Sequence, residues 1–226
     1  MITYSEVVWL IMDKSPAPTD RQTDRSYHHG SLVDALVHAA VELIEVYGVE
    51  KLSLRAVSKK VGVSPGAPFR HFKTKSELLK AVAEQSMLRL TQAVNASLAA
   101  QTSGDPVALL GAIGRGYLNW ALSNPTHFQI ISSRTLIDFH SSKTLVEQND
   151  AIYKLMLEQV TIGQAAGAIR GDASAHDLVV NARAFVYGLA RMAVDRHFRE
   201  WRVSGDPRQA AAEALNLYLR MIATSS

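Results

Sequence analysis

The chain of 226 residues is 47% hydrophobic and carries 24 Lys or Arg against 21 Asp or Glu, a formal net charge of +3. This length allows a buried core and two compact units, and the absence of cysteine excludes disulfides, thiolate metal sites and thiol catalysis. No apolar stretch approaches the ~20 residues that span a bilayer or resembles a signal sequence, so by elimination we expect a cytoplasmic protein with no membrane partner.

Residues 1–27 form a polar leader that contains Pro, Asp and Arg and follows no sustained period, so we predict a flexible N-terminal arm. Arg21 and Arg25 place positive charge just before the first predicted helix. An arm that contacts phosphates or the DNA minor groove needs charge at this position. A tail that makes no contact is the alternative interpretation.

Two short helices follow the arm. The first, from Ser31 to Tyr47, has its apolar residues on one face. The second is indicated by Leu54, Val57 and Val61, which recur at i, i+3 and i+7. Both belong to a helical unit that we place at residues 28–80.

A tight turn and a new helix start come directly after the second helix. Gly62 stands where a helix C-terminus favours a residue that tolerates positive φ. Ser64 suits an N-cap and Pro65 the first helical position, so we predict a third helix from Pro65 to His71. Helix, glycine turn and helix within about twenty residues form a helix-turn-helix, whose second helix enters the DNA major groove.

The charge of this segment supports DNA binding. Between Lys51 and Lys80 there are eight Lys or Arg and a single acid, Glu77, on a chain whose total charge is only +3. A local basic segment on an otherwise mildly acidic protein is typical of a phosphate-binding surface. The alternative, a solvated helix face, does not account for the turn and the cap.

The stretch from Ser53 to Leu79, with its Gly62 turn and the His71-Phe72 pair, resembles the DNA-binding domain of TetR-family transcriptional regulators. Two positions depart from the family pattern. Phe69 replaces the usual Tyr and lacks its phosphate-contacting hydroxyl, and Pro68 replaces an aliphatic residue in the recognition helix. Because proline has no N–H, Pro68 weakens the start of that helix.

The resemblance implies that Ser53, Lys73 and other residues around the turn fix the register on phosphates, while short side chains at the start of the recognition helix approach the bases. The DNA contacts predicted in this way are Arg25, Ser53, Arg55, Ser64, Pro65, Gly66, Ala67, Phe69, Arg70, His71, Lys73 and Lys75.

Every later segment also has the pattern of a helix, so the predicted fold is all-α, with an N-terminal three-helix DNA-binding domain and a helical domain at residues 81–226. Turn and capping signals separate the segments. The predicted helices run from Lys75 to about Ala100, from Pro106 to Leu122, from Pro125 onward, around Ala151–Ile169, around Ala175–Trp201, and from Pro207 to about Ala223.

The second domain resembles, more weakly, a ligand-binding domain type of the same family, through Tyr117–Ala121, Asn124–Phe128 and Val186–Ala190. The resemblance implies an effector pocket inside a helical bundle and a homodimer formed by the last two helices, near Arg183, Arg191 and Arg220. For any single ring, ordinary core packing is the alternative. The candidate ligand-binding residues are Tyr117, Trp120, His127, Phe128, Phe139, Tyr153, Phe185 and Tyr187.

No catalytic or metal motif is supported. Gly62-Val-Ser-Pro-Gly66 matches the spacing of a nucleophile elbow, but that motif requires a preceding strand, and here a helix precedes it. The eight histidines show no H-x-x-x-H spacing. We therefore predict no enzyme, no cofactor and no metal.

Together these observations predict a transcriptional repressor that binds a palindromic operator as a homodimer and is released by a small apolar or aromatic effector. A DNA-binding or partner-binding regulator without an effector is the alternative, which the lack of any cavity near ~300 Å³ would favour. An all-α enzyme is the remaining class.

Overall fold

The computed structural model describes residues 29–224, with side chains from Leu32 onward, so the predicted arm at residues 1–27, including Arg25, lies outside the described residues. The described part is all-α, as predicted, apart from one isolated antiparallel bridge between Ile169 and Ala223. In chain order its helices are α1 (His29–Tyr47), α2 (Leu54–Val61), α3 (Lys75–Ala99), α4 (Pro106–Ser123), α5 (Pro125–Ser132), α6 (Lys143–Ala165), α7 (Ala175–Val194) and α8 (Pro207–Ile222).

Helices α1 and α2 and the first half of α3 share one apolar core. The residues that build it recur on one face of each helix, and Leu36, Ala40, Val57, Leu78 and Val82 are all fully buried. This core fixes both ends of the segment between α2 and α3, which is the predicted DNA-reading segment.

The C-terminal bundle is arranged around α4, which packs against α3, α6, α7 and α8. The predicted ends of α4 are confirmed. Asp105 caps its start by accepting hydrogen bonds from two backbone N–H groups, and Asn124 ends it immediately before Pro125. Among the residues described, no helix has the length and hydropathy needed to cross a membrane.

Two helix boundaries differ most from the sequence prediction. α6 begins earlier than predicted, at Lys143, because the Ser142 hydroxyl caps its first turn. The helix predicted to reach Trp201 ends at Val194, since Arg196 adopts a left-handed conformation with φ of 64°.

The two parts of the molecule are joined by α3, whose second half packs closely on α4. A Cβ atom at Gly116 would lie 2.9 Å from Val94 Cα and 3.0 Å from the Ala93 carbonyl oxygen. One turn away, the Ser97 hydroxyl donates to the Ala112 carbonyl at 2.7 Å. The helices therefore touch backbone to backbone, which only glycine permits at position 116.

We expect Gly116→Ala to lower the free energy of unfolding by about 1–3 kcal/mol, because the added methyl group must push two helix backbones apart. Urea unfolding followed by circular dichroism measures this. Gly171→Ala is the control, since a Cβ there meets no atom within 4 Å, and its change should stay within about 0.5 kcal/mol. Equal stability of the two variants would contradict the close contact.

Candidate nucleic-acid interface and ligand cavity

The turn between α2 and the recognition segment has the predicted geometry. Ser53 caps α2, its Oγ accepting a hydrogen bond from the Ala56 N–H at 3.1 Å. Gly62 is left-handed, with φ of 79°, and ends the helix. The N–H groups of Gly62 and Val63 both donate to the Ser58 carbonyl at 3.0 Å, which closes the helix end as a C-cap.

The predicted α-helix from Pro65 to His71 is wrong. The chain makes a turn after Pro65 and then a 3₁₀-helix from Pro68 to Arg70. Since Pro68 has no N–H to give to the Ser64 carbonyl, that carbonyl instead accepts from Ala67 at 3.0 Å. The backbone still follows a helical path, with φ of −61° and ψ of −44° at Ala67, but with tighter hydrogen bonding.

Most of the predicted DNA contacts are accessible. Eight of them are exposed, namely Ser53, Arg55, Ser64, Pro65, Gly66, Phe69, Arg70 and Lys73. The other three that the structure describes, Ala67, His71 and Lys75, are half-buried. Pro68 and Phe72 are buried and attach the segment to the core.

The basic groups of this surface differ in their partners. Lys60 forms an ion pair of 2.5 Å with Glu42 on α1, which holds the pKa of Glu42 below its usual value. In contrast, Arg55, Arg70 and Lys73 form no ion pair with any described residue. These three predicted contacts therefore keep charges that can meet phosphates.

The single acid of the basic segment is used to build the start of α3. Glu77 donates its N–H to the Thr74 hydroxyl at 3.1 Å, and its Oε2 accepts from the Lys73 N–H at 2.7 Å. This reciprocal cap orders the turn that carries Lys73 and Lys75. The Lys75 ammonium also donates to the Glu50 carbonyl at 3.4 Å.

A cavity of about 510 Å³ lies in the C-terminal bundle, between α3, α4, α6, α7 and the segment after α5. It combines apolar and aromatic walls with a few polar groups, as ligand pockets do. Four of the predicted ligand-binding residues line it, namely Tyr117, Phe139, Tyr153 and Tyr187.

The other four predicted ligand-binding residues do not line this cavity. Phe128 is fully buried and packs against two rings that line the cavity. Its ring centroid lies 6.3 Å from that of Tyr117, in an edge-on arrangement, and 5.9 Å from that of Tyr187. Phe185 stacks on Tyr218 at 4.6 Å, which joins α7 to α8. Trp120 is buried and lines none of the described cavities. The fourth residue, His127, is buried on α5 and does not line the cavity either.

The cavity residues that sequence reasoning missed include two arginines, Arg134 and Arg183. It placed Arg183 beside a dimer face, but the guanidinium lies over the rings of Tyr117 at 4.7 Å and Tyr187 at 5.3 Å. The signal was available, because Arg183 falls on the buried face of α7, one turn before Tyr187. The guanidinium carbon of Arg134 lies 4.4 Å from the centroid of the Phe139 ring. Arg134 follows α5 in a loop, so no helical periodicity in the sequence pointed to it.

His127 joins α5 to α3 through a buried hydrogen bond. Its Nδ1 lies 2.7 Å from the Ser86 hydroxyl, which donates its proton to the Val82 carbonyl at 2.6 Å. Because a hydroxyl has one proton, Nδ1–H must be the donor to Ser86. Burial lowers the pKa of His127 from the usual 6.5, so the folded protein favours the neutral ring.

We therefore expect the protein to lose stability as the pH falls below about 6.5. The unfolded chain takes up a proton at His127 there, while the folded chain does so only at lower pH. His127→Asn keeps a donor but does not titrate, so the fall in Tm between about pH 7 and 5 should become shallower. The exposed His197 provides the control His197→Asn. If Tm falls with pH by the same amount in the wild type and in both variants, His127 does not cause the loss of stability.

Both halves of the chain match family models. The model described as "Bacterial regulatory proteins, tetR family" matches residues 36–82, and the "Tetracyclin repressor-like, C-terminal domain" matches residues 110–218.

Among the described residues, no cluster of His, Cys, Asp and Glu could hold a metal ion.

Curated relatives match over the N-terminal part. The HTH-type transcriptional regulator BetI of Yersinia pestis is 33% identical over 81 residues, 36% of this chain and 41% of the relative. The nucleoid occlusion factor SlmA of Glaesserella parasuis is 31% identical over 90 residues, 40% and 43% of the two chains. The chain thus spans less than half the length of these relatives.

Solved structures match over nearly the whole fold. A protein of unknown function from Rhodococcus sp. RHA1 is 29% identical with a TM-score of 0.74, over 89% of this chain and 100% of that one. A tetR-family regulatory protein from Rhodococcus RHA1 is 20% identical with a TM-score of 0.67, over 86% and 98%. With the helix-turn-helix, the two family models and this fold, the chain belongs to the TetR family of transcriptional regulators.

Proposed function

We propose that this protein is a repressor that binds a palindromic operator as a homodimer and leaves it when a small molecule fills the cavity. One observation carries the proposal, namely that α3 serves both sites. Met87 and Leu90 of α3 line the cavity, while Lys75 at its N-terminus belongs to the basic surface. A ligand that prefers one placement of α3 would change the placement of the recognition segment. On this proposal the protein acts in the cytoplasm.

The proposed DNA contacts fall into two classes. Arg55 and Lys73, with the Ser53 hydroxyl, bind phosphates and set the register. The exposed Ser64 and Gly66, with Ala67, present little bulk and allow the backbone to approach base edges. Arg70 and His71 follow at the end of the 3₁₀-helix, where they reach a base edge or a phosphate, and Phe69 offers an exposed ring.

Operator binding should depend steeply on salt. With about four phosphates neutralised per subunit, log K plotted against log[salt] should have a slope near −7 for the dimer, at about −0.9 per contact. Fluorescence anisotropy with labelled operator at several salt concentrations measures it. A slope near zero would exclude DNA binding through this surface.

Lys73→Ala should reduce that slope by about 2 for the dimer, since it removes one phosphate contact per subunit. The cap at its backbone N–H is kept, so the fold is unaffected. Lys154→Ala is the matched control, because Lys154 is an exposed lysine on α6 paired with Asp150. Ala67→Ser should instead change which operator bases are preferred.

The proposed dimer surface is formed by α7 and α8. On α8, Ala210, Ala214, Leu217 and Met221 recur at i, i+4, i+7 and i+11, with the two alanines half-buried at the edge of the core. Leu217 is 53% and Met221 66% exposed, which is unusual for two large apolar residues on one helix stripe. Val180 of α7 is exposed as well. Pairing of these helices between two subunits would cover all of them.

Leu217→Glu should therefore produce a monomer in sedimentation velocity at micromolar concentration and weaken operator binding, because the two half-sites are no longer held together. Val146→Glu is the control, a comparable change at a 40% exposed position of α6. A wild-type monomer at micromolar concentration would contradict the dimer, and so would an unchanged dimer in Leu217→Glu.

A second connection between the sites supports the mechanism. The segment between α5 and α6 contributes Arg134 and Phe139 to the cavity and borders Ser76 at the start of α3. At its end, the Ser142 hydroxyl donates to the Glu84 carboxylate on α3 at 2.5 Å. Occupation of the cavity therefore acts on α3 from two sides.

A regulator without an effector is the alternative function. It requires a bundle whose interior is filled by side chains. The cavity of about 510 Å³ exceeds the ~300 Å³ at which ligand pockets begin, which favours the effector-responsive proposal.

A further inference from the structure

One buried polar atom at the cavity lacks a hydrogen-bond partner. Arg183 Nη1 is buried and bonds to no described residue. The guanidinium carbon instead lies over the rings of Tyr117 and Tyr187. A ring face attracts a cation but gives its N–H groups no lone pair, and a buried charge without an opposite charge destabilises the folded state. A bound ligand can supply what the chain does not.

The cavity contains no negative charge that could serve. Its lining includes Arg134 and Arg183 and, in the described part of the chain, no Asp or Glu. The acids of α7 are engaged elsewhere, Asp177 with the serine that caps the helix and Asp195 with Arg191 at 2.8 Å. The cavity therefore has an excess of positive charge.

The tyrosine at Arg183 does not neutralise it. Burial raises the pKa of the Tyr117 hydroxyl, although the charge of Arg183 opposes that rise. Tyr117 is therefore a neutral phenol at neutral pH. The second arginine is already engaged, since Arg134 donates to the Ile131 carbonyl at 2.9 Å and lies over Phe139. Arg183 is the arginine of this cavity with a buried donor that no described residue accepts.

Much of the remaining wall is apolar, although Ser132 and Asn149 also line the cavity. Leu90, Ile152, Met156 and Val179 line it, from α3, α6 and α7. These walls favour a hydrocarbon or aromatic body and exclude a ligand that is polar throughout. The volume of about 510 Å³ suits a molecule with a body of this kind and one polar end.

We propose that the effector is an organic carboxylate, whose carboxylate binds the Arg183 guanidinium while its apolar body fills the space beside Leu90 and Met156. The planar guanidinium, which lies over two rings, matches a carboxylate with two parallel hydrogen bonds. One free arginine fits a monoanion better than a phosphate dianion. This inference rests on the proposed function, in which the cavity holds the effector.

The test uses the full-length protein and the neutral dye Nile red as a reporter of the cavity. Two pairs of competitors have the same skeleton, decanoate with decanamide and phenylbutyrate with phenylbutanamide. In the wild type each acid should displace the dye about 10- to 100-fold more effectively than its amide, because a charged hydrogen-bonded pair forms only with the acid.

Arg183→Met should abolish this preference by weakening the acids alone. It should also leave the ligand-free Tm unchanged or raise it, because an apolar side chain replaces a half-buried guanidinium that has one buried N–H group without an acceptor. A merely structural arginine would instead lower the Tm and weaken acids and amides equally. Arg191→Met is the matched control, since Arg191 on the same helix already pairs with Asp195.

The outcomes separate this inference from the proposed function. Three results would overturn the carboxylate inference and leave the cavity in place. The first is that acids and amides displace the dye equally, the second is that the preference for acids survives Arg183→Met, and the third is that no competitor displaces the dye. If Nile red does not bind, or if Ala184→Trp at the rim of the cavity does not reduce its binding, the effector cavity itself fails, and with it the proposed function.

Discussion

The rest of the structure depends on the backbone contact between α3 and α4. Gly116 brings the two helices to within about van der Waals distance, and the Ser97 hydroxyl bonds across the same interface. Because α3 is continuous from Lys75 to Ala99, this contact fixes the DNA-binding unit to the bundle. Packed helices of this kind shift between discrete arrangements rather than bending gradually, which suits a switch.

The recognition segment shows how one residue changes local structure without changing the fold. Pro68 removes a backbone donor, so the first turn tightens into 3₁₀ hydrogen bonds. The ring is buried at the same time, and the Phe72 N–H donates to the Pro68 carbonyl at 2.9 Å. The residue that weakens the helix therefore also anchors the segment. A shorter helix presents fewer side chains to a DNA groove. The proposed base contacts therefore depend more on the residues from Ser64 to Ala67.

The fold could be predicted from the sequence because its signals are local. The helix start at Asp105-Pro106 and the left-handed Gly62 act within one turn, and both lie where predicted, whereas the cap at Ser53 was not predicted. The cavity could be predicted only in part. Tyr117 and Trp120 are three residues apart on one helix, yet only Tyr117 lines the cavity, since which side of an apolar stripe meets a gap depends on helices distant in sequence. Arg183 was misplaced although its spacing from Tyr187 on α7 was visible, because its position over Tyr117 depends on how α7 packs against α4.

The cavity and α3 are linked by an unbroken series of contacts. Arg183 lies over Tyr117, whose ring meets Phe128, and the neighbouring His127 bonds to Ser86 on α3. Contact alone does not establish energetic coupling, which requires a part of the protein with two arrangements that both ligands influence. On the proposed mechanism α3 is that part, because among the described helices it alone carries residues of both the cavity and the basic surface. On the proposed mechanism, an anion at Arg183 would bind best in the arrangement that keeps Tyr117 and Tyr187 against the guanidinium, so its binding would favour one placement of α3. A neutral molecule filling the same space gains only apolar contacts, which differ little between two well-packed arrangements, and is expected to be the weaker switch.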